Sequence, residues 1–218
     1  MTRELDADRR LALAYAPARV RPALEALWRL DVTLASVLAT GTDRMVSRIR
    51  LAWWREALVR LDREAAPPEP VLQGIAAHLL PDGISGAELA GMEEAWAVLL
   101  SDTVLTAENL SRYGGARGGR LFRLSARLLG DPDFPVEPSG KLWALVDLAR
   151  HSAGPEERKS AFEAAEPEVK MRWPRPLRPL GMLDVLARRD LERDSNIWER
   201  QGSPARMLLM LRHRLTGT

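Results

Sequence analysis

Apolar residues recur at three- and four-residue steps along most of the chain, the spacing that gathers them on one face of an α-helix. No stretch alternates apolar and polar residues long enough to propose a strand, and β-branched residues are few. Residues 3–15 read as a first helix that ends near Pro17. Residues 21–39 read as a second, with Leu24, Leu27, Trp28, Asp31, Leu34 and Leu38 in helical register. Asp43 stands as an N-cap to a third helix over residues 44–63. Val46, Ile49, Trp53, Ala57 and Leu61 form one apolar stripe there, and Leu51, Trp54 and Leu58 form another. Arg48, Arg55 and Asp62 share the remaining face. The pattern therefore predicts a helix held between neighbours, with Ile49, Trp53, Trp54 and Leu58 buried.

The run AAPPEP (65–70) breaks the pattern, and a short helix follows at 71–80. Ser85 and Glu88 form a capping box that opens a helix over 86–110, where Leu89, Met92, Trp96, Leu99 and Leu100 make the stripe. Helices are predicted at 120–129, 141–152 and 155–165, with a loop at 131–140. WPRPLRP (173–179) reads as a connector to a helix from Leu180 to Arg193. Ser203 caps a final helix that has Pro204 in its first turn. About nine helices and no repeat of fixed period describe an all-α, single-domain helical bundle over 1–218.

Composition narrows the chemistry. The 218 residues are 46% hydrophobic and 28% charged, a globular balance. There is no cysteine, which removes disulfides, thiolate metal sites and thiol catalysis. His78, His151 and His213 have no metal-ligand spacing. The opening TRELDADRR is charged, unlike a secretory leader, and no window has the roughly 18–20 apolar residues of a membrane span, so a cytoplasmic chain is expected.

Net charge is +2 but unevenly spread: residues 1–169 hold 21 basic and 25 acidic residues, and 170–218 hold 11 and 5. The basic C-terminal fifth reads either as a solvated helix face or as a peripheral contact for an anionic membrane. On the final helix Met207, Leu208, Met210 and Leu211 form an apolar strip expected to dock on the bundle. Aromatic residues do not interleave with the arginines, so no nucleic-acid partner is expected.

Few groups suggest catalysis. YGGARGGRLF (113–122) could present free N–H groups to a phosphate, but it lacks the Lys-Ser/Thr of a P-loop and follows a helix. Close helix packing or a kink is the other reading of the run. Glu93–Glu94 and Asp131–Asp133 are paired acids outside any metal-like setting. Asp31 and Asp147 are single acids on apolar helices, where a salt-bridged acid is the ordinary expectation.

Several of these segments, in their order, resemble the squalene/phytoene synthase family of head-to-head prenyl transferases. They are LALAYAPARVRPALEALWRLD (11–31), IRLAWWREAL (49–58), YGGARGGRLFRLSARLLG (113–130) and KLWALVDLAR (141–150). The resemblance implies a shortened isoprenoid-synthase bundle. It also implies two Asp-rich motifs that bind Mg²⁺ and diphosphate. This chain departs from both. Ala35, Ser36 and Ala39 stand where the first motif would continue after Asp31, and none of them can hold a hard cation. Where the second motif would be, the run gives Asp147, Arg150 and His151, followed by Ser152, Ala153, Gly154 and Pro155, and only the arginine survives clearly. PEERKSAFEAAEPE replaces the flap and helices that would cover the site.

Those departures resemble a degenerate branch of the family that includes a mitochondrial complex I assembly factor. The implied role is a scaffold, an assembly factor with a protein partner, or a module that binds an isoprenoid or other lipid at an inner membrane. No cofactor is then needed; a working prenyl transferase, the alternative, would need Mg²⁺. Tyr15, Arg19, Asp31, Arg50, Trp54, Asp147 and Arg150 are the candidate substrate- or lipid-binding residues that the resemblance implies. It assigns no catalytic residue and no metal ligand.

Overall fold

Asp6 opens the first helix by accepting the Arg9 N–H at 2.9 Å, and this helix, α1, runs Ala7–Ala14. The computed structural model describes residues 4–41, 43–100, 105–166, 170–193 and 198–218. Among them are twelve α-helices and no strand, the all-α architecture expected. None of these helices is long and apolar enough to cross a membrane.

The second helix, α2 (Arg21–Thr40), runs through the middle of the bundle and buries Leu24, Leu27, Trp28, Leu30 and Leu34. Asp43 caps α3 (Arg44–Arg60) as predicted, accepting from the Met45 N–H at 2.7 Å. Glu69 caps α4 (Pro70–His78), which packs on α2.

The helix expected over 86–110 is instead three: α5 (Gly86–Ala90), α6 (Glu93–Leu99) and α7 (Ala107–Gly114). Residues 101–104 of that stretch lie outside the described residues. The first break has its cause in another helix. The Arg120 guanidinium sits where a Cβ on Gly91 would be and donates to the Glu88 carbonyl at 3.2 Å. The Met92 N–H, which an unbroken helix would direct to that carbonyl, turns to Leu89 instead. The Ser85–Glu88 capping box is present, and Asp62 adds to it by accepting from the Gly86 and Ala87 N–H groups. A second box, Thr106 with Asn109, opens α7.

The glycine run resolves in favour of packing. Gly115–Gly119 form one π-helical turn between α7 and α8 (Arg120–Leu129). Helix α9 (Glu137–His151) starts four residues earlier than predicted, because Pro138 fits a helix's first turn. Its Gly140 crosses Gly118 backbone to backbone, and a Cβ on Gly118 would lie 1.9 Å from the Gly140 carbonyl oxygen.

Helix α10 (Pro155–Glu163) packs on α9. A short 3-10 turn at Arg175–Leu177 leads into α11 (Arg178–Leu191), and α12 (Pro204–Thr216) closes the chain with Ser203 as its cap.

Two burial expectations need correction. On α3, Trp54 and Leu58 are buried, but Ile49 is 62% exposed and Trp53 43% exposed. α2, α5 and α6 cover one side of α3, and among the described residues Met45, Val46, Ile49 and Trp53 face outward on the other. On α12 only Met210 of the expected strip is buried, turned inward with Arg206 and His213, while Met207 and Leu208 are exposed.

Candidate functional site

Asp31 lies near the middle of α2, where Leu27, Leu30 and Leu34 surround it with apolar volume, and its side chain is fully buried. An ionised carboxylate in such a place requires charged partners. Two arginines supply them. Arg117 projects from the π turn, and its Nε donates to Asp31 Oδ1 at 2.9 Å while Nη2 donates to Oδ2 at 3.0 Å. Arg9, one turn into α1, donates from Nη1 to the same Oδ2 at 3.1 Å.

Asp147, on α9, completes the centre. Arg117 Nη2 lies 2.7 Å from its Oδ2, Arg9 Nη2 lies 3.7 Å away, and His151 Nδ1 stands 3.4 Å from Oδ1. Arg117 also donates from Nη1 to the Tyr113 hydroxyl at 2.7 Å. Its guanidinium carbon lies 4.5 Å from the Trp96 ring centre and 4.9 Å from that of Trp143, and Arg9 lies 4.8 Å from Trp143. The rings offer their negative faces to cations that have lost water. Arg9 and Arg117 thus neutralise Asp31 and Asp147 between α1, α2, the π turn and α9, and Arg9 Nε also pairs with Asp6 at 3.1 Å.

The electrostatics follow from that pairing. Burial alone would push the Asp147 carboxyl up, but the Arg117 guanidinium, with His151 and Arg9, overrides it and holds the group well below the usual carboxylate range. Burial works against the Arg117 charge as well, and Asp31, Tyr113 and Asp147 together keep it protonated. Burial raises the Tyr113 hydroxyl far above its ordinary value, so it stays neutral.

A second charge cluster adjoins the first. Arg206 of α12 donates to Asp8 of α1 at 2.9 Å and to Asp190 of α11 at 2.5 Å. Arg150 reaches the other Asp190 oxygen at 2.7 Å and the Glu199 carbonyl at 2.9 Å, with its guanidinium over the Trp198 ring. Between the clusters is a cavity of about 30 Å³, bordered by Arg9, Trp143, Asp147, Arg150 and Arg206. That is room for a water molecule or two, not an isoprenoid chain.

The residues singled out in the sequence separate. Asp31 and Asp147 meet through Arg117; Arg150 belongs to the adjoining cluster; Trp54 packs in the core against α3's own neighbours. Tyr15, Arg19 and Arg50 are exposed, with Tyr15 under the Arg214 guanidinium. Arg9 and Arg117 were missed. The available signal was physical: an acid on an apolar helix demands a cation, and an arginine set between glycines can come close enough to serve.

A family model described as squalene/phytoene synthase matches residues 2–155. No curated protein and no solved structure matches the chain. The Mg²⁺ that this family implies does not fit the donors at the centre. Both oxygens of Asp31 already accept from guanidinium groups, and Ala35 and Ser36 offer no further carboxylate. Among the described residues no group of three or more His, Asp or Glu side chains is placed to hold a metal ion.

Proposed function

The chain belongs to the squalene/phytoene synthase family, and from that premise we propose that it is a non-catalytic member, a helical scaffold rather than a prenyl transferase. The observation that carries this reading is the engagement of Asp31 and Asp147 by Arg9 and Arg117. Departure of a diphosphate builds negative charge that must meet preorganised cations at the reacting face. Here the two arginines spend their charge on the protein's own acids, in a centre closed by Trp96, Trp143 and Tyr113. An incoming divalent ion would have to displace a guanidinium held on two sides. On this reading the rigid bundle serves assembly, and its outer surfaces meet partners.

Calorimetric titration with Mg²⁺ and a non-hydrolysable farnesyl diphosphate analogue tests the proposal. The expected result is no saturable heat, and no squalene- or phytoene-like product from farnesyl or geranylgeranyl diphosphate. Mg²⁺-dependent binding in the micromolar range, or product formation, would reverse it.

A further inference from the structure

Residues 170–218 lie wholly outside the part of the chain that the family model matches, and they form a cleft of their own. It measures about 590 Å³ and opens between the segment 170–173, α11 and α12. That is the size of a small-ligand site. Met171, Trp173, Val185 and Leu209 give it an apolar wall, and the Trp173 ring is held from behind by Phe134. Arg188 and Arg189 reach the cleft already neutralised, the first by Asp184 at 3.0 Å and the second by Glu199 at 2.9 Å. Lys170, Arg172 and Arg212 also border it. All three are exposed, and none has a carboxylate partner among the described residues.

Nearby acids do not cancel these charges. Among the described residues Glu192 is the one acidic side chain on the border that no arginine holds, and a carboxylate at Thr218 adds at most one charge more. Beyond the border the sign is the same. Residues 170–183 hold four basic residues and no acid, and residues 207–218 hold two arginines and no acid. Of these, Arg178 donates to the Arg214 and Leu215 carbonyls at 2.8 Å, not to a carboxylate. Burial, and then the charges of Arg214, Arg175 and Arg172, push the Arg178 pKa below its ordinary value, as happens where cations gather without counter-charge. An apolar wall beside uncompensated cations fits an amphiphilic anion. We propose that this cleft binds a phosphate monoester carrying an apolar body, with the phosphate against Lys170, Arg172 and Arg212 and the body along Trp173 and Leu209. Such a phosphate brings nearly two negative charges and three acceptor oxygens, which suit three cations better than a carboxylate does. A soluble phosphate monoester and the headgroup of phosphatidate share this chemistry. The proposal stands apart from the question of catalysis, because Asp31, Arg117 and Asp147 do not border the cleft.

Amide proton–nitrogen NMR spectra of the full chain, titrated with hexyl phosphate at low salt, test this. EDTA keeps the titration free of Mg²⁺, so its outcome is separate from the test of prenyl transfer. Saturable shifts are expected at residues 170–173, 185–192 and 209–213, with a dissociation constant on the order of 1 mM, as suits cations screened by solvent. Hexanoate, with a single charge, should bind about tenfold more weakly or worse. The double variant Arg172→Gln/Arg212→Gln should lose tenfold or more of the hexyl phosphate affinity. Its melting temperature should stay close to that of the unaltered chain, because both side chains are exposed. Arg63→Gln, which removes an exposed arginine elsewhere, should leave binding intact. Phosphatidylcholine vesicles with and without phosphatidate separate the two sources. Sedimentation that needs phosphatidate and is lost in the double variant assigns a lipid headgroup; hexyl phosphate binding without it assigns a soluble ligand. The proposal is overturned if hexyl phosphate gives no saturable shift, or if the shifts fall at Asp31, Arg117 and Asp147 instead. It is equally overturned if hexanoate binds as well, or if the double variant binds as the unaltered chain does.

Discussion

Arg117 holds Asp31 across 86 residues of chain, with Nε on one carboxylate oxygen at 2.9 Å and Nη2 on the other at 3.0 Å. The grip is two-pronged and almost fully buried, so neither charge has water to fall back on. The same guanidinium reaches Asp147 and the Tyr113 hydroxyl, so a single side chain ties α2, α7, the π turn and α9 together.

Breaking that tie is expected to be costly. Arg117→Met leaves Asp31 buried with Arg9 as its only close cation and should destabilise the fold by about 3–5 kcal/mol. Replacing both partners, as Asp31→Leu with Arg117→Met, should recover a large part of the loss, because the uncompensated charge is gone. Urea unfolding followed by tryptophan fluorescence checks this. A double variant as unstable as Arg117→Met would show that the pair is not a self-contained unit.

The crossing of the π turn over α9 makes a second prediction. A Cβ at position 118 would lie 1.9 Å from the Gly140 carbonyl oxygen, whereas one at Gly115 meets nothing within 4 Å. Gly118→Ala should therefore force the two backbones apart and cost about 1–3 kcal/mol or more. Gly115→Ala, on the same turn, should stabilise by about 0.5–1 kcal/mol through its better helix propensity. Thermal melts of the two variants should move in opposite directions. Equal shifts would mean that the glycines serve flexibility rather than close approach.

His213 predicts a pH dependence. Its ring is buried against Gly181 and Trp173. Burial lowers its pKa below the ordinary 6.5, overriding the opposing Asp184 charge and a backbone hydrogen bond with Thr218, and Arg178 adds a smaller push in the same direction. The unfolded chain therefore takes up a proton before the folded one does. Stability from this group is complete above about pH 6.5 and declines as pH falls through that value toward the lower folded pKa. Melting temperature should drop between pH 7 and pH 5, and His213→Gln should flatten the slope in that window. An unchanged slope in the variant would assign the pH dependence to other groups.

Residue order alone determined the all-α class and several helix starts. Asp43, Ser85 with Glu88, and Ser203 with Pro204 cap where the spacing places them, because a cap bonds to N–H groups two or three residues away. Periodicity also singled out Asp31 and Asp147 as acids in need of explanation. Tertiary structure decided what such local rules cannot reach. It split residues 86–99 into two helices, because Arg120, from another helix, takes the Glu88 carbonyl. It left Ile49 and Trp53 outside, since a helix with two apolar stripes does not record which one its neighbours will cover. It also drew Arg9 and Arg117 inward, against the usual exposure of arginine. Their destination depends on Asp31, Asp147 and the Gly118–Gly140 crossing being in one place at once. That coincidence belongs to the packed chain, because a charge becomes worth burying only where the fold supplies its opposite within hydrogen-bond reach.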